Sequence, residues 1–98
     1  MEELANTTYT QEQSIAYEAA CECINQAIAI LMSHIYQEEK ASKPNSSWLL
    51  SLNEEVDTLW KRRNELKVND AAEIQAIRNI FGERIRAYRQ SNGQKKWF

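Results

Sequence analysis

Residues 10–40, TQEQSIAYEAACECINQAIAILMSHIYQEEK, decide how this chain folds. Within them Tyr17, Cys21, Ile24, Ile28, Leu31 and Ile35 recur at alternating steps of four and three, the spacing that lines one face of an α-helix. A second series, Ala16, Ala20, Cys23, Ala27, Ile30 and His34, repeats that spacing, rotated by roughly 110° when each residue advances by about 100°. Small side chains dominate this second seam, which allows a close neighbour. Together the two seams form an apolar arc wider than one helix covers, so this segment is expected to lie between two helices, or between one helix and another subunit. Thr10 and Gln13 carry a capping-box signature at its start, Thr10 accepting from the third helical N–H while Gln13 reaches back.

Outward from this segment, Lys43-Pro44-Asn45-Ser46-Ser47 turns the chain, because proline disfavours helix in its predecessor and Asn45, Ser46 or Ser47 can cap the next helix. Leu49, Leu52, Val56, Leu59, Arg63 and Leu66 then form an inward seam, with Trp48 and Trp60 on its flanks and Glu54, Asp57, Lys61 and Glu65 outside. Asn69-Asp70-Ala71-Ala72-Glu73 is another capping signature, and the apolar register shifts by one residue across it, which predicts a break. A third helix points Ile74, Ile77, Phe81, Ile85 and Tyr88 inward and closes at Ser91-Asn92-Gly93. Gly82 in its middle costs about 1 kcal/mol against alanine and predicts close approach of another helix.

The fold expected is all-α, a three-helix antiparallel bundle with a long first helix, over about 10–40, 47–67 and 70–91. One domain fills residues 1–98, with 1–9 and 94–98 as flexible tails. The first helix would span about 45 Å and the others about 30 Å. Its first turns therefore either overhang or are covered by a second copy, so a homodimer is expected, joined through the seam of Ala16, Ala20, Cys23, Ala27 and Ile30.

Composition agrees: 43% hydrophobic and 27% charged residues suit an ordinary globular domain, and two glycines and one proline are too few for a β-rich one. Met1-Glu2-Glu3-Leu4 is acidic where a targeting peptide needs positive charge, and the longest apolar run, Ala27 to Met32, is short for a bilayer. A cytoplasmic protein without a membrane partner is expected. Cys21 and Cys23 point roughly 200° apart on a helix and cannot bridge locally, which suits a reducing compartment. The net charge of −2 divides into seven acids and no Lys or Arg over residues 1–39, and twelve bases against seven acids over 40–98, or −7 followed by +5. Such asymmetry fits complementary helix faces or a charged face turned to a partner.

No catalytic constellation stands out. His34 and Glu38, four apart, would supply two metal ligands from one face, but bundle metal centres also draw carboxylates and histidines from other helices, so neither metal nor cofactor is expected. Cys21 and Cys23 lie mid-helix among apolar and acidic neighbours, away from the base and positive field that activate a thiol. No Gly-rich phosphate loop and no Gly-x-Ser-x-Gly turn occurs.

The candidate partner-binding residues are basic and aromatic: Lys61, Arg62, Arg63, Arg84, Arg86, Arg89, Trp97 and Phe98. They suit a protein partner, with the terminal Lys95-Lys96-Trp97-Phe98 as a docking peptide, or the phosphates of a nucleic acid, with Tyr88 and Trp97 to stack. A pI near 5.4 lacks the broad positive field of most nucleic-acid binders. The stretch from Phe81 to Gln94 resembles the first helix of Cro/repressor-type helix-turn-helix domains over fourteen residues. In that family a recognition helix comes next, whereas five residues come after Gly93, so the resemblance implies no DNA reading. The function expected is that of a small non-enzymatic protein–protein interaction module, an inhibitor, immunity-type or adaptor protein. The alternative is a small DNA- or RNA-binding regulator.

Overall fold

The computed structural model describes residues 9–91, which form α1 (Gln11–Glu39), α2 (Ser46–Glu65) and α3 (Ala71–Gln90). The expected tails, apart from Tyr9, lie outside the described residues. Each helix begins where its sequence offers a cap. Thr10 stays extended, its Oγ1 accepts the Gln13 N–H at 3.0 Å, and Gln13 Oε1 accepts the Thr10 N–H at 2.9 Å. Two of the N–H groups that a helix start leaves unpaired are thereby satisfied. Asn45 Oδ1 caps α2 through the Trp48 N–H at 2.9 Å, and Asp70 Oδ1 caps α3 through the Glu73 N–H at 3.2 Å. Glu38 Oε2 accepts the Asn45 N–H at 2.8 Å, tying the end of α1 to the start of α2.

The second helix ends before residue 67. Leu66 has already left helical geometry, at φ −69° and ψ 134°, yet it is only 7% exposed. Its side chain completes the heptad series Leu52, Leu59, Leu66 after the backbone has turned away, so the apolar spacing outlasts the helix by one residue.

Helix α1 is the centre of the bundle. Its Cα atoms come within 8 Å of those of both α2 and α3, whereas α2 and α3 do not approach each other that closely among the described residues. Both seams of α1 are used. Met32, Ile35 and Tyr36 border the same groove as Asn53 and Val56, which places the first seam beside an antiparallel α2. On the other side His34 stands edge-on to Tyr88, with ring centroids 5.6 Å apart, Arg89 donates to the Gln26 side chain at 2.8 Å, and Arg78 acts on the Cys23 thiol. Late residues of α3 thus meet late residues of α1 and earlier ones meet earlier ones, which sets α3 parallel to α1 along the small-residue seam. The resulting core joins Ala20, Ile24, Ala27, Ile28 and Leu31 to Leu52, Leu59 and Leu66 and to Ile74, Ile77, Phe81 and Ile85.

No residue of α1 before Ala20 is fully buried, but Ala16 and Tyr17 still pack half-buried against the core, so only the first turn or so of the helix runs past it. By length and composition α1 also meets the requirement for crossing a membrane, with an 18-residue window of mean hydropathy 1.2. The short Ala27–Met32 run therefore understates how apolar this helix is. Its buried residues nonetheless fall in an arc covered by α2 and α3, and Glu22, Asn25, Gln26 and His34 interrupt the rest, the pattern of a core helix.

Close helix approach does not explain Gly82: a Cβ added there would meet nothing within 4 Å. The glycine leaves open space at a helical position that any residue can adopt. Gly82→Ala is therefore expected to stabilise the fold by about 0.5–1 kcal/mol through helix propensity alone. Thermal melting followed by circular dichroism should show Tm raised by roughly 3–6 °C; a lower Tm would reveal a steric role for the gap.

Candidate interaction surfaces

The five residues expected to mediate self-association have a different place in the structure. Ala20 and Ala27 have no exposed surface, and Ala16, Cys23 and Ile30 are half-buried against the core. Because α3 already lies along this seam, Ala20 and Ala27 are covered within one chain, while Ala16, Cys23 and Ile30 keep part of their surface. The alanines do bring a neighbour close, but that neighbour is α3.

The basic residues do not all share one face: Arg62 and Arg84 meet over Phe81, and the others lie apart from them. Consecutive positions on a helix differ by about 100°, so Lys61, Arg62 and Arg63 face three directions. Lys61 is exposed. Arg62 turns toward α3, where its Nε donates to Glu73 Oε2 at 2.8 Å and its guanidinium lies 5.5 Å from the centre of the Phe81 ring. Arg84 approaches the same ring at 5.7 Å. Two arginines thus lie over a phenylalanine that is 3% exposed, filling the gap between α2 and α3 with long side chains where the backbones stay apart. Arg63 lies half-buried over Trp60 at 5.8 Å, its Nε without a hydrogen-bond partner. Arg86 and Arg89 complete the set on α3, and Arg89 is engaged with Gln26. Trp97 and Phe98 lie outside the described residues.

His34 and Glu38 are likewise drawn apart in role. The His34 ring is half-buried against Tyr88 with its Nε2 unpartnered, while Glu38 serves the turn into α2. Among the described residues no group of three His, Cys, Asp or Glu side chains is placed to hold a metal ion. Both cysteines are free and half-buried. Burial pushes the Cys23 thiol above its ordinary pKa, opposed by Arg78 and helped by Glu22, so less of it is thiolate at neutral pH. The Tyr17 hydroxyl is also raised, chiefly by its hydrogen bond with Cys21.

The surface least explained by the fold lies between α1 and α2. A groove there is lined by Met32, Ile35, Tyr36, Glu39, Asn53 and Val56. Met32 is 54% exposed, Tyr36 58% and Trp60 43%; Trp60 sits one helical turn beyond Val56 on the same side of α2. Leu50, 61% exposed, stands at the outer edge. Lys40 holds its ammonium 4.4 Å from the centre of the Tyr36 ring, a cation at the rim of an apolar strip. Comparison with family models, with curated proteins and with solved structures finds no match for this chain. The strip must therefore be read from its own chemistry. An aromatic and methionine centre with a charged rim is the composition of a protein-binding face.

In the sequence Trp60 reads as a flank of the core, and the two core seams pass over Met32, Tyr36 and Leu50. A signal is present, because Asn25, Ala29, Met32 and Tyr36 form a third series at steps of four, three and four, displaced from both core seams. Three parallel series on one helix exceed what two neighbours can cover.

Proposed function

We propose that this chain is a non-enzymatic protein–protein interaction module, an inhibitor, immunity-type or adaptor protein that presents helix faces to a partner. The observation that carries this reading is the exposed strip of Met32, Tyr36 and Trp60 beside the α1–α2 groove, apolar surface that the bundle itself does not require. The dispersal of the basic residues supports it over a nucleic-acid regulator. Phosphate tracking needs cations along one path, whereas Arg62 and Arg84 are engaged over Phe81 and Arg89 with Gln26.

The test is affinity capture of the tagged full chain from its own cells at moderate salt, with and without nuclease. A second protein species in stoichiometric amount, retained after nuclease, is the expected result. Backbone-driven nucleic-acid binding weakens steeply with salt, whereas an apolar helix-face contact hardly changes. Nuclease-sensitive material with no protein partner would overturn the reading in favour of the regulator.

A further inference from the structure

The outer face of α3 carries a second surface that the bundle does not use. We propose that it docks an acidic helix of a partner protein, whose backbone comes close at Gly82 and whose carboxylates meet Arg78, Arg86 and Arg89. The inference rests on the interaction-module reading and adds to it the charge of the partner.

Each helical residue advances by about 100°, so positions four apart differ by about 40° and positions seven apart by about 20°. Arg78 and Arg86 therefore flank Gly82, and Arg89 stands almost in line with it, in one stripe about 16 Å long. All three arginines are exposed. Gly82 and Ile85 floor a hollow of about 400 Å³ walled by Arg86 and Arg89, and a second of about 470 Å³ opens between Arg86 and Arg78. A glycine in mid-helix weakens the helix, and no neighbour within 4 Å of an added Cβ gives a reason for it inside the chain. What the missing side chain provides is room. A helix crossing at Gly82 can bring its axis nearer than the usual separation of about 8–10 Å.

The charge of this face is unanswered within the bundle. Among the described residues none of the three arginines forms an ion pair, and Arg86 makes no hydrogen bond either. Arg89 donates to the Gln26 side chain, and Glu22 accepts from that side chain at 3.2 Å, so a neutral amide stands between this cation and this acid. The two acids of α3 lie off the stripe: Glu83 about 100° round from Gly82, and Glu73 on the opposite side, bound to Arg62. An arginine fork takes a carboxylate through two parallel hydrogen bonds, and acids at steps of four and three on a partner helix rise at the same rate as this stripe. A nucleic acid fits less well. Its phosphates continue past the three turns of the stripe and run alongside α1, which carries five glutamates and no Lys or Arg.

The experiment titrates the purified full chain into a fluorescein-labelled synthetic helix of about twenty residues and follows the anisotropy. The probe is alanine-based, cross-linked to hold its helicity, and carries glutamates at steps of four and three along one face. The same helix with glutamine at those places and a single-stranded DNA of about twenty nucleotides are the comparison probes. The glutamate helix is expected to bind saturably, with affinity falling about tenfold or more between about 50 and 300 mM salt. Arg86→Glu should weaken it by more than about tenfold, and Gly82→Leu, which favours helix, should do the same by filling the gap. Trp60→Glu, on the α1–α2 strip, should leave it unchanged, and circular dichroism checks that each variant is folded. Absence of binding up to about 1 mM, equal binding of the glutamine helix, indifference to Gly82→Leu, or tighter binding of the DNA than of the glutamate helix overturns the proposal. Partner capture from cells that is lost in Trp60→Glu and untouched by Arg86→Glu would overturn this surface while the interaction-module reading stands, so the two fail separately.

Discussion

Leu31→Ala is expected to destabilise the chain by about 3 kcal/mol, within the 2–5 kcal/mol range for deleting a buried leucine side chain. A domain of this size has on the order of 5–15 kcal/mol in total, so this is a large share. Leu31 has no exposed surface and sits in α1, the helix that both others approach. Truncation leaves a cavity that α2 and α3 cannot jointly close, since moving toward it on one side opens space on the other. Tm should fall by roughly 12–24 °C, measured by thermal melting alongside urea titration. Ser33→Ala, two residues on and exposed, is the control and should stay within about 0.5 kcal/mol. Equal small effects at both positions would mean that the centre of the bundle does not run through Leu31.

Helix existence is written plainly in the chain, because capping chemistry and apolar spacing are local. Thr10 with Gln13, Asn45, and Asp70 each cap the helix they announce. All four apolar residues from Ile74 to Ile85 in the α3 seam are buried, and Tyr88 packs beside them. Boundaries are less legible where burial and backbone part company, as at Leu66, whose apolar side chain belongs to the seam while its backbone belongs to the turn. The largest gap concerns which seam meets which neighbour. Periodicity gives an angle on a helix but names no partner, so the alanine seam reads as a surface for a second copy when α3 occupies it. The arginines mislead for a related reason. A cation covering the ring of Phe81 and one reaching into solvent look identical in a sequence, and only the spacing between α2 and α3 distinguishes them. The exposed strip of Met32, Tyr36 and Trp60 is recoverable from a third periodic series, but its exposure depends on α2 and α3 covering the other two arcs.

Arginine at Ala27 is expected to abolish the fold, and this separates the two uses open to the small-residue seam. Were that seam a surface between copies, a charge there would split a dimer and leave each bundle helical. Ala27 instead has no exposed surface and lies on the side of α1 where Tyr88 and Arg89 bring α3 close. A guanidinium at that point has neither room nor an acid facing it from α3, whose cations Arg78, Arg84, Arg86 and Arg89 outnumber its Glu73 and Glu83. Burying an unpaired charge and overfilling a close-packed contact add, and their sum, on the order of 5 kcal/mol or more, reaches the lower range of total stability for such a domain. Circular dichroism of Ala27→Arg should therefore show helicity lost, or a Tm lowered by more than about 20 °C. Ala27→Ser changes the volume little and should retain the fold with a smaller loss, which separates overfilling from any sensitivity of the helix to substitution. If Ala27→Arg stayed helical with an unchanged melting temperature, α3 could not lie along this seam, and the seam would again be available to a second copy. The expected result instead leaves the α1–α2 strip as the exposed apolar face of the bundle, because the alanines that looked ready for a partner already hold their own third helix.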